Sequence, residues 1–164
     1  MEEAIVIETT EAGLFQSRVT TADASFIIDE PVEAGGLGSG ANPYDLLAAA
    51  LGGCTAMTLK MYAQVKQWPL EHVRVRVLHE RNGLDGRDKF TREIELFGAL
   101  DDEQRQRMLA VSLRCPVHKT LGSATEIETV LVPAPAVGAA SGEAGVESHC
   151  AHATDCAEAV AQTA

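Results

Sequence analysis

The sequence predicts an α+β domain, and three observations carry that expectation. Short β-branched runs open the chain, one long Ala- and Leu-rich helix follows, and the rest comes as strands, helix and strand without regular strand–helix–strand alternation. Residues 4–9, 14–20 and 25–29 are β-branched and aromatic runs divided by Glu-Ala-Gly and by Ala22-Asp23, the pattern of antiparallel meander strands. The glycine-rich stretch 31–41 follows as a flexible surface connection. It lacks the Gly-Lys-Ser/Thr ending of a phosphate loop, and its glycines do not fit a dinucleotide fingerprint.

The long helix begins at Asn42, a good N-cap, with Pro43 at the first helical position, where its missing N–H costs nothing. Leu46, Leu47, Ala50, Leu51, Cys54, Met57, Thr58 and Met61 recur at three- and four-residue steps, and Ala48, Ala49, Gly52, Gly53 and Ala56 leave little bulk elsewhere. The expectation is a helix buried on several sides with Cys54 near its middle. Gly52 and Gly53 each cost roughly 1 kcal/mol against Ala in a helix interior, so they point to a close approach of backbone or ligand beside the sulfur. Pro69 in Lys66-Gln-Trp-Pro-Leu ends the helix.

Residues 73–79 alternate valine with arginine, which predicts a half-buried strand, and 90–97 alternate again as its antiparallel partner across the loop 82–89. Asp101 and Asp102 cap a helix through about Leu113, with Met108, Leu109 and Val111-Ser112-Leu113 on its apolar face. Arg114-Cys-Pro breaks it, because the residue before a proline avoids helical geometry. Cys115 then starts a second short helix, where backbone N–H groups and the dipole favour a thiolate. Residues 125–132 form a last strand. From Pro133 the composition turns to Ala, Gly and Pro, so the domain spans 1–133, and 134–164 are a linker with a short tail helix.

Within 164 residues there is room for one domain with a real core. Lys and Arg number 13 against 24 Asp and Glu, a net charge of -11, which leaves no basic footprint for nucleic acid or an anionic membrane. No uncharged run approaches the length of a membrane span, and Met-Glu-Glu lacks the positive start of a signal peptide, so the protein is expected in the cytoplasm. Four cysteines, at 54, 115, 150 and 156, are too sparse for a secreted disulfide framework. In a reducing compartment they suggest redox or metal chemistry, with inert buried thiols as the alternative.

Asn42-Pro43, the Ala-Ala-Ala-Leu-Gly-Gly-Cys-Thr segment of the helix, Met61-Tyr-Ala, Trp68-Pro-Leu and Cys115-Pro-Val-His-Lys-Thr-Leu together resemble the OsmC/Ohr family of thiol-dependent hydroperoxide reductases, nearest a less characterised OsmC-like branch. The resemblance runs over about residues 4–132. It implies antiparallel sheets wrapped around long buried central helices in an intertwined homodimer, and a role in oxidative stress defence. It places Cys54 as peroxidatic thiol and Cys115 as resolving thiol, with no cofactor. The substrate is then an organic hydroperoxide and the reductant a dithiol, typically on a lipoylated protein. The family's arginine from the N-terminal strands is best matched by Arg18. The family's orienting glutamate directly follows the Asn-Pro pair; this chain has Tyr44 there and Asp45 one step later, a turn of about 100° on a helix. Tyr44, Leu47, Leu51, Met57 and Met61 are the expected pocket lining.

Other assignments stay open beside these. Cys54 can be a small hydrophobe in an Ala-rich helix. Arg18 can be a solvated charge, and Asp45 a first-turn acid that suits the helix dipole. His118 can touch the site or stay an exposed helix-start histidine. A non-catalytic module binding a small apolar ligand, or a redox sensor of the same fold, is the alternative function. In the tail, His149, Cys150, His152 and Cys156 are a weak metal candidate. Their spacing matches no strong zinc signature, and an amphipathic helix from Thr154 or Asp155 is preferred.

Overall fold

The computed structural model describes residues 4–81 and 88–123. The strand expected at 125–132, the domain end at 133, the linker and the tail ligands His149, Cys150, His152 and Cys156 lie outside the described residues. What is described forms two compact units, one up to Leu46 and one from Leu47 on.

In the first unit, β1 (Val6–Thr9), β2 (Ser17–Thr20) and β3 (Ser25–Ile28) make an antiparallel sheet in that order. These are the three expected strands, each trimmed at its ends. Arg18 in β2 stands opposite Glu8 on β1 and Ile27 on β3. The glycine-rich stretch after β3 is not the loose connection its composition predicts. It makes a short 3-10 turn over Val32–Ala34, and the Asp29 carboxylate, 2% exposed, ties its ends together. That carboxylate accepts from the amides of Glu30 (2.9 Å), Leu37 (3.0 Å) and Ser39 (3.2 Å) and from the Ser39 hydroxyl (2.8 Å).

Burial raises the Asp29 carboxyl pKa, but these hydrogen bonds outweigh it and hold the group below its ordinary 3.8. A depressed folded value stabilises the protein above the unfolded one, and the contribution disappears as pH falls through the folded value. Asp29→Asn should therefore destabilise the protein by about 2 kcal/mol at neutral pH, the range for hydrogen bonds to a charged group. Thermal melts of the two proteins should converge as pH drops well below 3.8; an equal gap at every pH would remove the carboxylate charge as its source.

The long helix α1 covers Pro43–Lys66. Asn42 caps it as expected, its Oδ1 accepting from the amides of Tyr44 (2.9 Å) and Asp45 (3.2 Å). The Asp45 carboxylate answers by accepting from the Asn42 amide at 3.4 Å and from the Asn42 side-chain amide, which closes a capping box. At the far end Gln67 adopts φ 55, the Gln67 amide donates to Gln64 and the Trp68 amide to Ala63. Both bonds fit a Schellman stop, formed here without glycine.

Beyond Leu47 the second unit consists of the rest of α1, the antiparallel hairpin β4 (Leu70–Glu80) and β5 (Lys89–Gly98), then α2 (Asp102–Ser112) and α3 (Pro116–Leu121). Its core is Leu59, Ala63, Met108 and Val111, with Trp68, Val73, Ile94 and Leu96 packed against it. Asp101 caps α2 in a second capping box with Gln104. On α2 the buried residues are Met108, Val111 and Ser112, whereas Leu109 and Leu113, expected on the same face, are 55% and 53% exposed. The 100° step per residue turns those two away.

The expectation for α1 needs a larger correction, because a single copy of the chain buries only one of its faces. Leu51, Gly52, Thr55, Leu59 and Ala63 are buried. Met57, Met61 and Val65, one stripe at four-residue steps, are 73%, 63% and 75% exposed. Both stripes are apolar, so periodicity alone does not tell them apart. Gly52 permits the buried contact: a Cβ there would lie 3.2 Å from Val77 Cγ2, so the helix backbone rides close on β4. A Cβ on Gly53 would meet nothing within 4 Å. By length and composition α1 could also cross a membrane, but its buried face is already packed on the unit's own core.

Candidate functional site

The second unit brings Cys54 and Cys115 together. Cys54 lies less than a third of a turn from the buried Leu51–Thr55 edge of α1 and is partly exposed, while Cys115 is fully buried at the corner between α2 and α3; both are free thiols. The sequence dictates the corner locally. Pro116 cannot continue α2, and as the first residue of α3 it leaves Cys115 in the N-cap position.

Burial alone would raise the Cys115 pKa. Hydrogen bonding from the Cys54 side chain, the His118 amide, the Thr55 hydroxyl and the Val117 amide reverses this and brings it below its ordinary 9.0. The two amides face the sulfur without closing a capping hydrogen bond of ordinary geometry. The Cys115 thiolate is therefore favoured, whereas Cys54 is the partly exposed member of the pair. Because the two share one hydrogen-bonded site, the first proton lost belongs to the pair.

A cation that the sequence reading passed over stands behind them. Arg92 on β5 donates from Nη1 to Thr55 Oγ1 (2.7 Å) and to the Ser112 carbonyl (3.2 Å), and its Nη2 lies 3.0 Å from His118 Nδ1. Thr55 Oγ1 is also 2.7 Å from the Leu51 carbonyl. A signal for Arg92 existed in the sequence: it is in phase with Ile94 and Leu96, on the inward face of an alternating strand, where a charge is out of place. His118, half-buried, does touch this cluster.

The other expected site residues are placed differently. Arg18 and Asp45 belong to the first unit, the former in β2 and the latter in the capping box with Asn42. Tyr44 is at the start of α1, and Leu51 is a core residue at 3% exposure, with Leu47 on the helix surface at 39%. Met57 and Met61 line an open groove with Lys60, Gln64, Trp68 and Leu70 that contains neither thiol. Among the described residues no group of three or more His, Cys, Asp or Glu could hold a metal ion.

Residues 36–130 match the family described as OsmC-like protein, and that stretch contains both thiols, the whole of α1 and the β4–β5 hairpin. The chain belongs to the OsmC-like family. Solved structures agree at the level of fold. An OsmC-like protein from Mycoplasma pneumoniae is 20% identical, with a TM-score of 0.63 over 74% of this chain and 88% of its own. The organic hydroperoxide resistance protein OsmC of Legionella pneumophila is 21% identical, with a TM-score of 0.55 over 72% and 88%. The organic hydroperoxide resistance protein OhrB of Bacillus subtilis is 22% identical, with a TM-score of 0.53 over 73% and 90%. No curated relative matches the chain. The OsmC-like fold thus accounts for the α+β arrangement of antiparallel sheets and helices found here.

Proposed function

We propose that this OsmC-like protein is a thiol-dependent peroxidase that reduces organic hydroperoxides to alcohols. The observation that carries the proposal is the pairing of a partly exposed Cys54 with a buried Cys115 whose thiolate is favoured. In the reduced pair the Cys54 proton lies toward the Cys115 sulfur. Cys54 passes that proton to the Cys115 sulfur and attacks the distal oxygen of R–O–OH as a thiolate; the O–O bond breaks, the leaving alkoxide takes the proton from Cys115 as ROH, and Cys54 keeps the hydroxyl as a sulfenic acid while Cys115 is again a thiolate. Cys115 then attacks the Cys54 sulfur, a disulfide forms and water leaves. Two electrons pass from the pair to the peroxide, and an external dithiol, proposed to be a lipoylated protein, returns them.

The homodimer is part of the same proposal, supported by the bare Met57, Met61 and Val65 stripe of α1, and so is a cytoplasmic location. Arg18 is proposed as the arginine that steadies the Cys54 thiolate. A role for Asp45 as its partner requires the bond to Asn42 to open, and this favours a second reading, a ligand-binding module or redox sensor of the same fold. Intact-mass measurement before and after stoichiometric cumene hydroperoxide separates them. The peroxidase reading expects loss of two hydrogens, mapped to a 54–115 disulfide, with release of cumyl alcohol. A protein left unchanged by alkyl hydroperoxides rejects it.

A further inference from the structure

We infer that Arg92 is the positioning residue for the thiol pair, its guanidinium joining the helix that carries Cys54 to the two helices that flank Cys115. The inference rests on the thiol chemistry proposed above. The acceptors of Arg92 are Thr55, next to Cys54 on α1; the Ser112 carbonyl, at the end of α2; and His118 Nδ1, in the first turn of α3. Cys115 lies midway in sequence between the last two. A planar fork with five donors spans three such acceptors, and a lysine ammonium cannot. Arginine offers no acceptor, so His118 Nδ1 receives the bond, and the ring carries its proton on Nε2.

The route to sulfur is short. Thr55 is fully buried, adjoins Cys54 in sequence, and is among the groups that lower the Cys115 pKa. Thr55 Oγ1 accepts from the guanidinium and gives its own proton to the Leu51 carbonyl, so Arg92 is fastened to the turn of α1 that carries Cys54. Arg92 also sits where a loose corner would do most harm. Without it, α2 keeps its Asp101–Gln104 capping box, but the corner at Cys115 loses a cross-link to α1, and the distance between the two sulfurs is no longer held from both sides.

The test uses the reduced full-length chain and diamide, which removes two electrons and two protons from a thiol pair and needs no peroxide chemistry. Two quantities are followed: the rate of 54–115 disulfide formation and the ultraviolet thiolate absorbance against pH. Arg92→Met should slow disulfide formation about tenfold at neutral pH and move the thiolate transition upward, the size expected from a modest loss of thiolate stabilisation. Arg92→Lys keeps the charge without the span and should recover only part of the rate. Thr55→Val should act in the same direction, and the double variant with Arg92→Met should be no slower than Arg92→Met alone, because one acts through the other. If Arg92→Met does not fold, Thr55→Val and Arg92→Lys decide the matter. An unmoved thiolate transition, or slowing in the double variant equal to the product of the singles, overturns the inference. Wild-type protein inert to cumene hydroperoxide yet showing these diamide effects removes the peroxidase proposal and keeps Arg92. Peroxide turnover unaffected by Arg92→Met does the reverse.

Discussion

Cys54→Ser should reduce consumption of cumene hydroperoxide to the background rate, while Cys115→Ser should complete the first step and stop there. The difference follows from exposure and from chemistry. Of the two described cysteines Cys54 is the partly exposed one, and a serine hydroxyl is too weak a nucleophile at neutral pH to replace a thiol. In Cys115→Ser the sulfenic acid at Cys54 loses the described thiol it would condense with. It should be captured by dimedone and, with more peroxide, climb to sulfinic acid. Turnover assays with excess dithiol and mass spectrometry of the adduct read both effects. Activity retained in Cys54→Ser and lost in Cys115→Ser would exchange the two roles. The pH dependence should follow the pair: because Cys115 is held below 9.0, reactivity should rise with pH and level off before that value.

Met61→Glu should separate the proposed dimer into single copies. Met57, Met61 and Val65 are 73%, 63% and 75% exposed in one copy, a longer bare apolar stripe than α1 would carry if it faced only water. Burying a methionine side chain is worth roughly 1.5–3 kcal/mol, and a two-fold interface counts each position twice, so the dimer constant should weaken by about two to four powers of ten. Glutamate is chosen because it keeps the helix propensity. Sedimentation velocity across a concentration series measures the change. Leu109→Glu, at an exposed position on α2 outside the α1 stripe, serves as the control and should leave the assembly intact. A wild-type protein that sediments as a single copy at high concentration ends the dimer proposal.

Much of this molecule was legible from local chemistry. Asn42-Pro43 and Asp101 mark helix starts because a side-chain oxygen must serve amides that have no helical partner, and both do so here. Arg114-Cys-Pro marks a break for an equally local reason, and Cys115 stands at the head of α3 as that break requires. What was not legible depends on partners distant in sequence. The α1 stripe read as core by spacing is largely the exposed one, since an apolar face waiting for another surface has the same periodicity as one already covered. Thr55 is inconspicuous among alanines and leucines, although it links Arg92 to the turn of α1 that carries Cys54. Arg92 was hidden in plain alternation, where Val73, Val75 and Val77 against Arg74 and Arg76 on β4 suggested that every arginine of the hairpin points outward. The loop held by Asp29 was misjudged for its glycines, because a buried carboxylate eight and ten residues from its amide partners has no sequence signature.

The outward face of the hairpin carries Arg74 paired with Glu95 and Arg76 with Glu93, at 2.8 and 2.6 Å, all four side chains about half exposed. Exposed pairs of this kind contribute little to stability. Their alignment, however, fixes which residues of β5 look inward. A slip of one residue would turn every side chain of that strand over, sending Arg92 to solvent and setting Glu93 in its place beside the sulfurs. The sign of the local field would invert, against a Cys115 thiol that is now held toward ionisation. Two unremarkable surface bridges thereby act as a spelling check on the chemistry beneath them.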